Sequence, residues 1–526
     1  MATSWSLAPV VEQRARVHPE RTLAMTGDRT WSYGQVDAQA SSLAAALSEL
    51  GLGAGDRIAV NLPNCIEWVI SLVACAKLGA VVVPVSPRLS TIDLRYQLRH
   101  AEASAVITIE RLAGVDFLQR FEDLLGDLPD LQYLVTVGDE DLWYDDRIFQ
   151  FEDLVSSGAG RTPPVHEPSE DDDLAVVYTS GTMGKPKGVR LSHRAIVENA
   201  VRTGEVMEIS PDDRLLAAVP FFAIFGFSTM IGAMSAGATL VLLPVFDAAS
   251  AISLIAQRAV TVLHAVPTMY HLIMRDETFD PTRMRTLRTG VIAGSSVSEE
   301  LVKRVRRWCD VLVAYGLTET GPAVTITRFT DSDDRRIGSV GRALPGVEVM
   351  AVDIVTGMLH GPEAVGEIAV RGPSLMRGYL RMPAETAKVH TPEGFFLTGD
   401  LGIIDEDGYV KIVGRRQETI SRGSYQLYPR EIEDRLRAHP AVDDVCVIGV
   451  PHDVLGEQVC ACIVPVEGAV ITGSEIKRFA HETMADYKVP DLVRFFDSFP
   501  MTGSGKVRRR ELARAIALDH TVSHSG

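Results

Sequence analysis

The hydrophobic pattern of this chain switches repeatedly between helical spacing and short apolar runs. Residues 8–25 predict an amphipathic helix running into a short strand, and residues 30–33 begin a second unit. Helical spacing over 37–50 ends at Gly51, a residue that closes helices readily because it enters the left-handed region without penalty. A strand at 57–60, a helix at 67–78 and a strand at 81–85 come next. Strands are predicted again at 213–220, 238–244, 261–266 and 291–294, with helices between them. Strands alternating with helices at this spacing predict βαβ units and a mainly parallel sheet.

Past residue 345 the pattern changes. Residues 366–372 and 408–414 are short, alternating and bounded by glycine, which predicts antiparallel sheet. From about residue 416 a compact α+β unit is expected, and the last few residues carry no periodicity. A chain of 526 residues is too long for one core. The expected class is therefore α/β. A large N-terminal region, 1–415, holds βα-type subdomains and a small antiparallel β subdomain, with breaks near 175 and 345. A small α+β domain, 416–526, completes the chain.

Composition narrows the function. Hydrophobic residues make up 46% and charged residues 23%, as in ordinary globular proteins rather than disordered ones. The net charge of −17, from 69 acids against 52 bases, argues against sequence-independent nucleic-acid binding, which needs a basic face. Six scattered cysteines make no disulfide framework; Cys460 and Cys462 alternate with apolar neighbours as one face of a strand. No basic segment followed by a long apolar one opens the sequence, and the longest apolar run, 217–236, is broken by Pro220, Gly226 and Gly232. A cytoplasmic protein without a membrane span is expected. His193 and His264 belong to no triad order or metal spacing and are read as structural.

The first chemical signal is the stretch from Val176 to Val189. An apolar run there ends in Thr179, Ser180, Gly181, Thr182, Gly184, Lys185, Lys187 and Gly188. Glycines permit close backbone approach to a ligand, hydroxyls donate to phosphate oxygens, and the lysines supply charge. Pro186 stiffens the turn. The stretch lacks the GxxxxGK[ST] spacing. Alone, it also has a plainer reading, as a Gly/Ser surface loop.

Five further segments come after it in order: Tyr315-Gly316-Leu317-Thr318-Glu319-Thr320, Thr398-Gly399-Asp400, Gly414-Arg415-Arg416, Tyr428-Pro429-Arg430-Glu431-Ile432-Glu433, and Thr502-Gly503-Ser504-Gly505-Lys506. With the first stretch, their order and spacing resemble the adenylate-forming superfamily of acyl-CoA synthetases, peptide-synthetase adenylation domains and luciferases, over nearly the whole chain. The resemblance implies ATP, Mg²⁺ and CoA as cofactors and a small C-terminal domain that is mobile. It implies that the 179–188 loop holds the β- and γ-phosphates, that Tyr315 and Gly316 meet adenine, and that Gly294, Ser295 and Ser296 line its edge. It implies further that Thr318 contacts phosphate and Glu319 holds Mg²⁺. Asp400 and Arg415 would take the ribose, and Lys506 would bridge the acyl carboxylate and the α-phosphate. Each residue taken singly has a plainer fate: a core aromatic, a turn aspartate, a surface ion pair, a basic run.

Three places depart from the family pattern. The hinge position, usually Asp or Lys, is Gln417; Ser424, beside Gly423, stands on the thiol route where glycine is frequent. In the acyl-pocket segment, Phe222-Ala223-Ile224-Phe225, alanine replaces a common histidine. Amino-acid activators resembling this chain carry an aspartate near Ile224, which an apolar side chain cannot replace as partner of an ammonium. The expected activity is ATP-dependent activation of a hydrophobic or bulky acid without an α-amino group, then transfer to CoA with release of AMP. A carrier-protein phosphopantetheine is the alternative acceptor, an inactive nucleotide-binding homologue the alternative class, and a monomer or homodimer the expected state.

Overall fold

The structure, a computed structural model, describes residues 4–142, 145–163, 169–179, 186–354, 356–422, 425–452, 454–501, 507–509 and 511–516. The chain divides into two compact units, Met1–Val349 with Val370–Phe396, and Met350–Ala369 with Leu397–Gly526.

The first unit is α/β with two large sheets. One has nine strands and runs parallel through its centre, where Asp310–Tyr315, Thr289–Ile292, Val262–Leu263, Arg214–Ala217, Thr239–Leu242 and Thr22–Thr26 lie side by side. The other has eight strands. Arg57–Asn61 and Val81–Pro84 pair in parallel, and Asp173–Thr179 and Lys187–Ser192 form an antiparallel hairpin. The helix Ile66–Leu78 is mostly apolar and nearly all buried, its Lys77 paired with Glu12 and Asp37, and Trp68 near its start packs edge-on against Phe221 and Phe227.

The helix expected over 37–50 begins earlier, at Tyr33. Ser32 Oγ accepts from Gln35 N at 3.2 Å, and Gln35 Oε1 accepts from Ser32 N at 2.8 Å. This reciprocal cap satisfies two amides that the helix itself leaves open. The strand expected over 213–220 spans only Arg214–Ala217: at one end Asp213 turns its carboxylate to Ser210 N at 2.8 Å and to the Arg288 guanidinium at 2.7 Å, and at the other Ala218 N turns back to the Leu216 carbonyl at 2.9 Å.

The second unit is α+β. It holds a four-stranded sheet, in which Phe396–Ile404 and Val410–Arg415 pair antiparallel, and a five-stranded sheet built on the long hairpin Val442–His452 and Gly456–Pro465. Cys460 and Cys462 share one face of that hairpin with Cys446, Phe499 and Leu512, while Val459, Ala461 and Ile463 pack into the opposite cluster. All six cysteines are free, and no three His, Cys, Asp or Glu side chains gather as a metal cage among the described residues.

Candidate nucleotide site and acid cavity

The hairpin fixes the feet of the glycine-rich segment. Thr179 lies opposite Lys187 in the antiparallel register, so the segment leaves and re-enters the sheet at paired residues. Ser180, Gly181, Thr182, Gly184 and Lys185 lie outside the described residues. Gly188 is buried, and a Cβ there would stand 2.9 Å from Val176 Cγ1, so strand packing itself excludes a side chain. The helix Thr91–Ala101 braces the same region. Tyr96 donates its hydroxyl to the Pro186 carbonyl at 3.1 Å, and His100 Nδ1 bonds the Tyr178 hydroxyl at 2.8 Å.

Thr318 and Glu319 lie on a short 3₁₀ turn, Thr318–Thr320, just past the buried Tyr315. That turn is stitched to the segment 374–379 by three bonds. Ser374 Oγ donates to the Thr320 carbonyl at 2.7 Å, Met376 N to the Glu319 carbonyl at 2.8 Å, and the Tyr379 hydroxyl to Glu319 Oε1 at 3.1 Å. Tyr379 is also the cross-strand partner of Val189, and Lys187 Nζ sits 4.6 Å from the centre of its ring and 3.4 Å from the Glu385 carboxylate. Lys187 and Glu319 are thereby brought together through Tyr379, a residue that sequence reasoning missed. Burial, reinforced by the Glu319 charge, pushes the Tyr379 phenol well up, so it keeps the proton it donates. Only its place in the Gly378-Tyr379 pair after Arg377 could have drawn attention to it.

Gly294 and Tyr315 come together at the carboxyl edge of two adjacent parallel strands, where Ile292 is in register with Val313. Ligands of open α/β sheets bind at such edges. Gly294 has φ +88°, and a Cβ on it would approach Val266 Cγ1 to 3.1 Å. Ser295 and Ser296 are exposed beside it. At Gly316 a Cβ would meet the Pro322 carbonyl at 2.6 Å.

Beside this edge lies a cavity of about 50 Å³, walled by Thr203 and Gly204 of the helix His193–Val206, Phe225 and Gly232 of the helix Ile224–Ala236, and His264 with Val291. Of the four residues expected to open the acyl pocket, Phe225 is on the cavity wall; Phe222, the helix cap Ala223 and the first helical residue Ile224 are half-buried and are not. Among the described residues, the wall carries no acidic or basic side chain other than His264. His264 lies just after the strand Val262–Leu263 and is tilted against Phe225, ring centres 6.0 Å apart. Burial pushes its imidazole down to about 4, so it is neutral at physiological pH. His193, by contrast, accepts from Leu7 N at 3.2 Å and ties the N-terminal helix Leu7–Val17 to the core.

In the second unit Asp400 and Arg415 are cross-strand partners, with Arg415 Nε 3.1 Å from Asp400 Oδ1. Asp400 is buried, and Thr398 Oγ1 accepts from its amide at 3.1 Å. Glu367, also buried, accepts from Gly399 N at 2.9 Å and from Arg416 at 2.8 Å, holding both motifs in place. Gln417 lies in the 3₁₀ turn Arg416–Glu418. Gly423, Ser424 and Lys506 lie outside the described residues. On either side of the last, Met501 and Val507 pair with each other. Arg509 anchors the chain beyond that pair, reaching the buried Glu433 at 2.6 Å, Glu418 at 3.2 Å and the Val447 carbonyl at 2.7 Å.

The sequence pattern of the AMP-binding enzyme family matches residues 11–380, and that of the AMP-binding enzyme C-terminal domain matches residues 431–506. The chain belongs to this adenylate-forming family, on its acyl- and aryl-CoA ligase branch. Enzymes of that branch are AMP-forming acid–thiol ligases. Among curated relatives, the chain is 34% identical to the putative acyl-CoA synthetase YngI of Bacillus subtilis over 96% of each chain. It is 32% identical to the indoleacetate–CoA ligase of Aromatoleum aromaticum, over 97% of this chain and 98% of that one. Among solved structures, an anthranilate CoA ligase in complex with anthranoyl-AMP superposes with a TM-score of 0.89 and 25% identity, covering 99% of both chains.

Proposed function

We infer that this enzyme activates a largely apolar, uncharged-tailed carboxylic acid as its adenylate and transfers the acyl group to CoA. The observation that carries the choice of acid is the cavity wall. Its described residues offer no carboxylate to pair with an α-ammonium and no cation to pair with a second carboxylate, and an unpaired charge in such surroundings is costly. The apolar Ile224 supports the same reading.

In the first half-reaction a carboxylate oxygen of the acid attacks the α-phosphorus of ATP and pyrophosphate leaves. The protein's task is to neutralise charge and hold the reactants in line. Thr179, Lys187 and the segment between them hold the β- and γ-phosphates, Thr318 adds a hydroxyl, and Lys506 bridges the carboxylate and the α-phosphate. Tyr315 stacks on adenine beside Gly294, and Asp400 with Arg415 takes the ribose hydroxyls.

Magnesium fits this donor set. It favours oxygen and takes one or two carboxylates together with phosphates rather than an all-protein cage, and Glu319 with Thr318 provides one carboxylate and one hydroxyl. It would neutralise phosphate charge there. Tyr379 keeps the Glu319 carboxylate oriented toward that task.

In the second half-reaction the thiol sulfur attacks the acyl carbon, loses its proton, and AMP leaves. The branch of the family supports CoA as the thiol. Six free cysteines suit action in the reducing cytoplasm. No helix among the described residues is long and apolar enough to cross a membrane.

Pyrophosphate release over a panel of fatty, aryl, dicarboxylic and α-amino acids tests the reading. Turnover is expected with the first two classes. Preference for α-amino or dicarboxylic acids would refute it.

A further inference from the structure

The cavity wall is apolar apart from a few groups, and two of those are unsatisfied. His264 Nδ1 and Thr203 Oγ1 are both fully buried atoms without a hydrogen-bond partner among the described residues, and both residues line the same cavity. His264 is only 7% exposed. A buried polar atom left unpaired destabilises a protein by about 1–3 kcal/mol, so such atoms are uncommon and call for a physical reason. Other polar side chains nearby obey the ordinary rule: Thr229 Oγ1 donates to the Phe225 carbonyl at 2.8 Å, and the Tyr270 hydroxyl to the Leu263 carbonyl at 2.7 Å.

The position of His264 matters as much as its lack of a partner. It stands at the carboxyl end of a central parallel strand, one residue before Ala265, which bridges to Ile292 on the strand leading to Gly294. Its ring faces Phe225, and Phe225 in turn lies 4.0 Å from where a Cβ of Gly294 would stand. The imidazole is therefore on the wall that runs from the adenine edge into the cavity. A leucine or phenylalanine would fill the same space without an unpaired nitrogen.

We propose that His264, with Thr203, is a polar specificity anchor in the acid cavity, and that the preferred acid is largely apolar but carries one uncharged hydrogen-bonding group, such as a hydroxyl. This rests on the acid-activating reading given above and deepens it. The anchor is uncharged, so it rewards a neutral donor or acceptor rather than a second carboxylate. A site that hydrogen-bonds a substrate group discriminates strongly against the analogue lacking it, because binding that analogue leaves the protein's own polar atoms unpaired.

The test compares 3-phenylpropanoic acid with its ortho-, meta- and para-hydroxy derivatives in pyrophosphate release by the wild-type enzyme and by His264→Leu and His264→Gln. At least one hydroxy isomer should exceed the parent acid by about tenfold or more in kcat/KM. His264→Leu should abolish that preference while leaving the KM for ATP unchanged, and His264→Gln should restore part of it. The thermal midpoint of His264→Leu should equal or exceed that of wild type, since an unpaired buried nitrogen has gone. The wild-type comparison stands even if a variant folds poorly. A parent acid used as well as every hydroxy isomer, or a hydroxyl preference that survives in His264→Leu, overturns the anchor alone. No pyrophosphate release with any member of the wider acid panel overturns the anchor and the acid-activating reading together.

Discussion

The polar edge around Glu319 and the apolar cavity walled by Phe225 belong to the same unit and are built in opposite ways. At the edge, side chains hold one another. Lys187 faces Glu385 and the Tyr379 ring, Tyr379 holds Glu319, and Ser374 and Met376 pin the turn that carries it. In the cavity, packing sets the shape, and two polar atoms have no partner among the described residues. On the function proposed above, the difference separates two tasks. A site for polyphosphate must be oriented in advance, because reorganising charged groups during reaction is expensive. A site for an acid's tail gains from apolar surface and from a few polar groups that report the identity of the guest.

Substitutions at the edge should therefore alter nucleotide parameters, and substitutions in the cavity should alter acid choice. The largest effect is expected at the lysine of the C-terminal motif. Lys506→Ala should lower the rate of acid-dependent pyrophosphate exchange by about 10²–10³-fold or more, with ATP binding by calorimetry retained. Undiminished exchange would remove that residue from the mechanism.

Tyr379→Phe comes next. It deletes one hydrogen bond to an ionised carboxylate, worth about 1.5–3 kcal/mol, so kcat/KM for ATP should fall by about 10–100-fold and the Mg²⁺ requirement should rise. Relative rates across an acid series should stay the same; a changed acid order would break the division of tasks.

A stability effect should appear in acid. His264 has its proton affinity lowered from 6.5 to about 4 by burial. Between those two pH values the unfolded chain binds a proton there and the folded chain does not, so stability falls as pH drops through the window, by up to about 3 kcal/mol. Urea unfolding of wild type and His264→Leu at pH 7 and pH 4.5 checks this; the variant should lose less stability than wild type over that interval.

The smallest change expected is at Gly232. A Cβ there meets nothing closer than the Ala200 carbonyl at 3.6 Å, so alanine fits. Replacing a helical glycine should raise stability by up to about 1 kcal/mol. The added methyl also narrows the cavity, and kcat/KM for the bulkiest acids should drop severalfold while ATP parameters hold.

The same contrast explains what could be read from sequence. The parallel core, the antiparallel region after residue 345 and the α+β tail are all visible in the periodicity, and the candidate nucleotide motifs are short and contiguous. Glu319 and Asp400 each announce themselves within a few residues. Tyr379 does not, because its hydroxyl meets a carboxylate 60 residues away. The cavity is less legible still. Its wall gathers Thr203, Phe225, Gly232, His264 and Val291 from separate elements, and no local pattern joins them. The contiguous segment 222–225, chosen by analogy, contributes Phe225 to that wall, while His264, read as structural, is part of it. Even the early start of the helix Tyr33–Glu49 turned on a pairwise detail, the cap between Ser32 and Gln35.

Coupling of acid activation to thioester formation is the property on which everything else depends. The direct measurement is the product ratio when enzyme, ATP, Mg²⁺, CoA and an activated acid from the panel are combined and quenched. One AMP, one pyrophosphate and one acyl-CoA thioester per turnover, with no ADP, is the predicted result. AMP accumulating without thioester, or ADP with phosphate in its place, would contradict it.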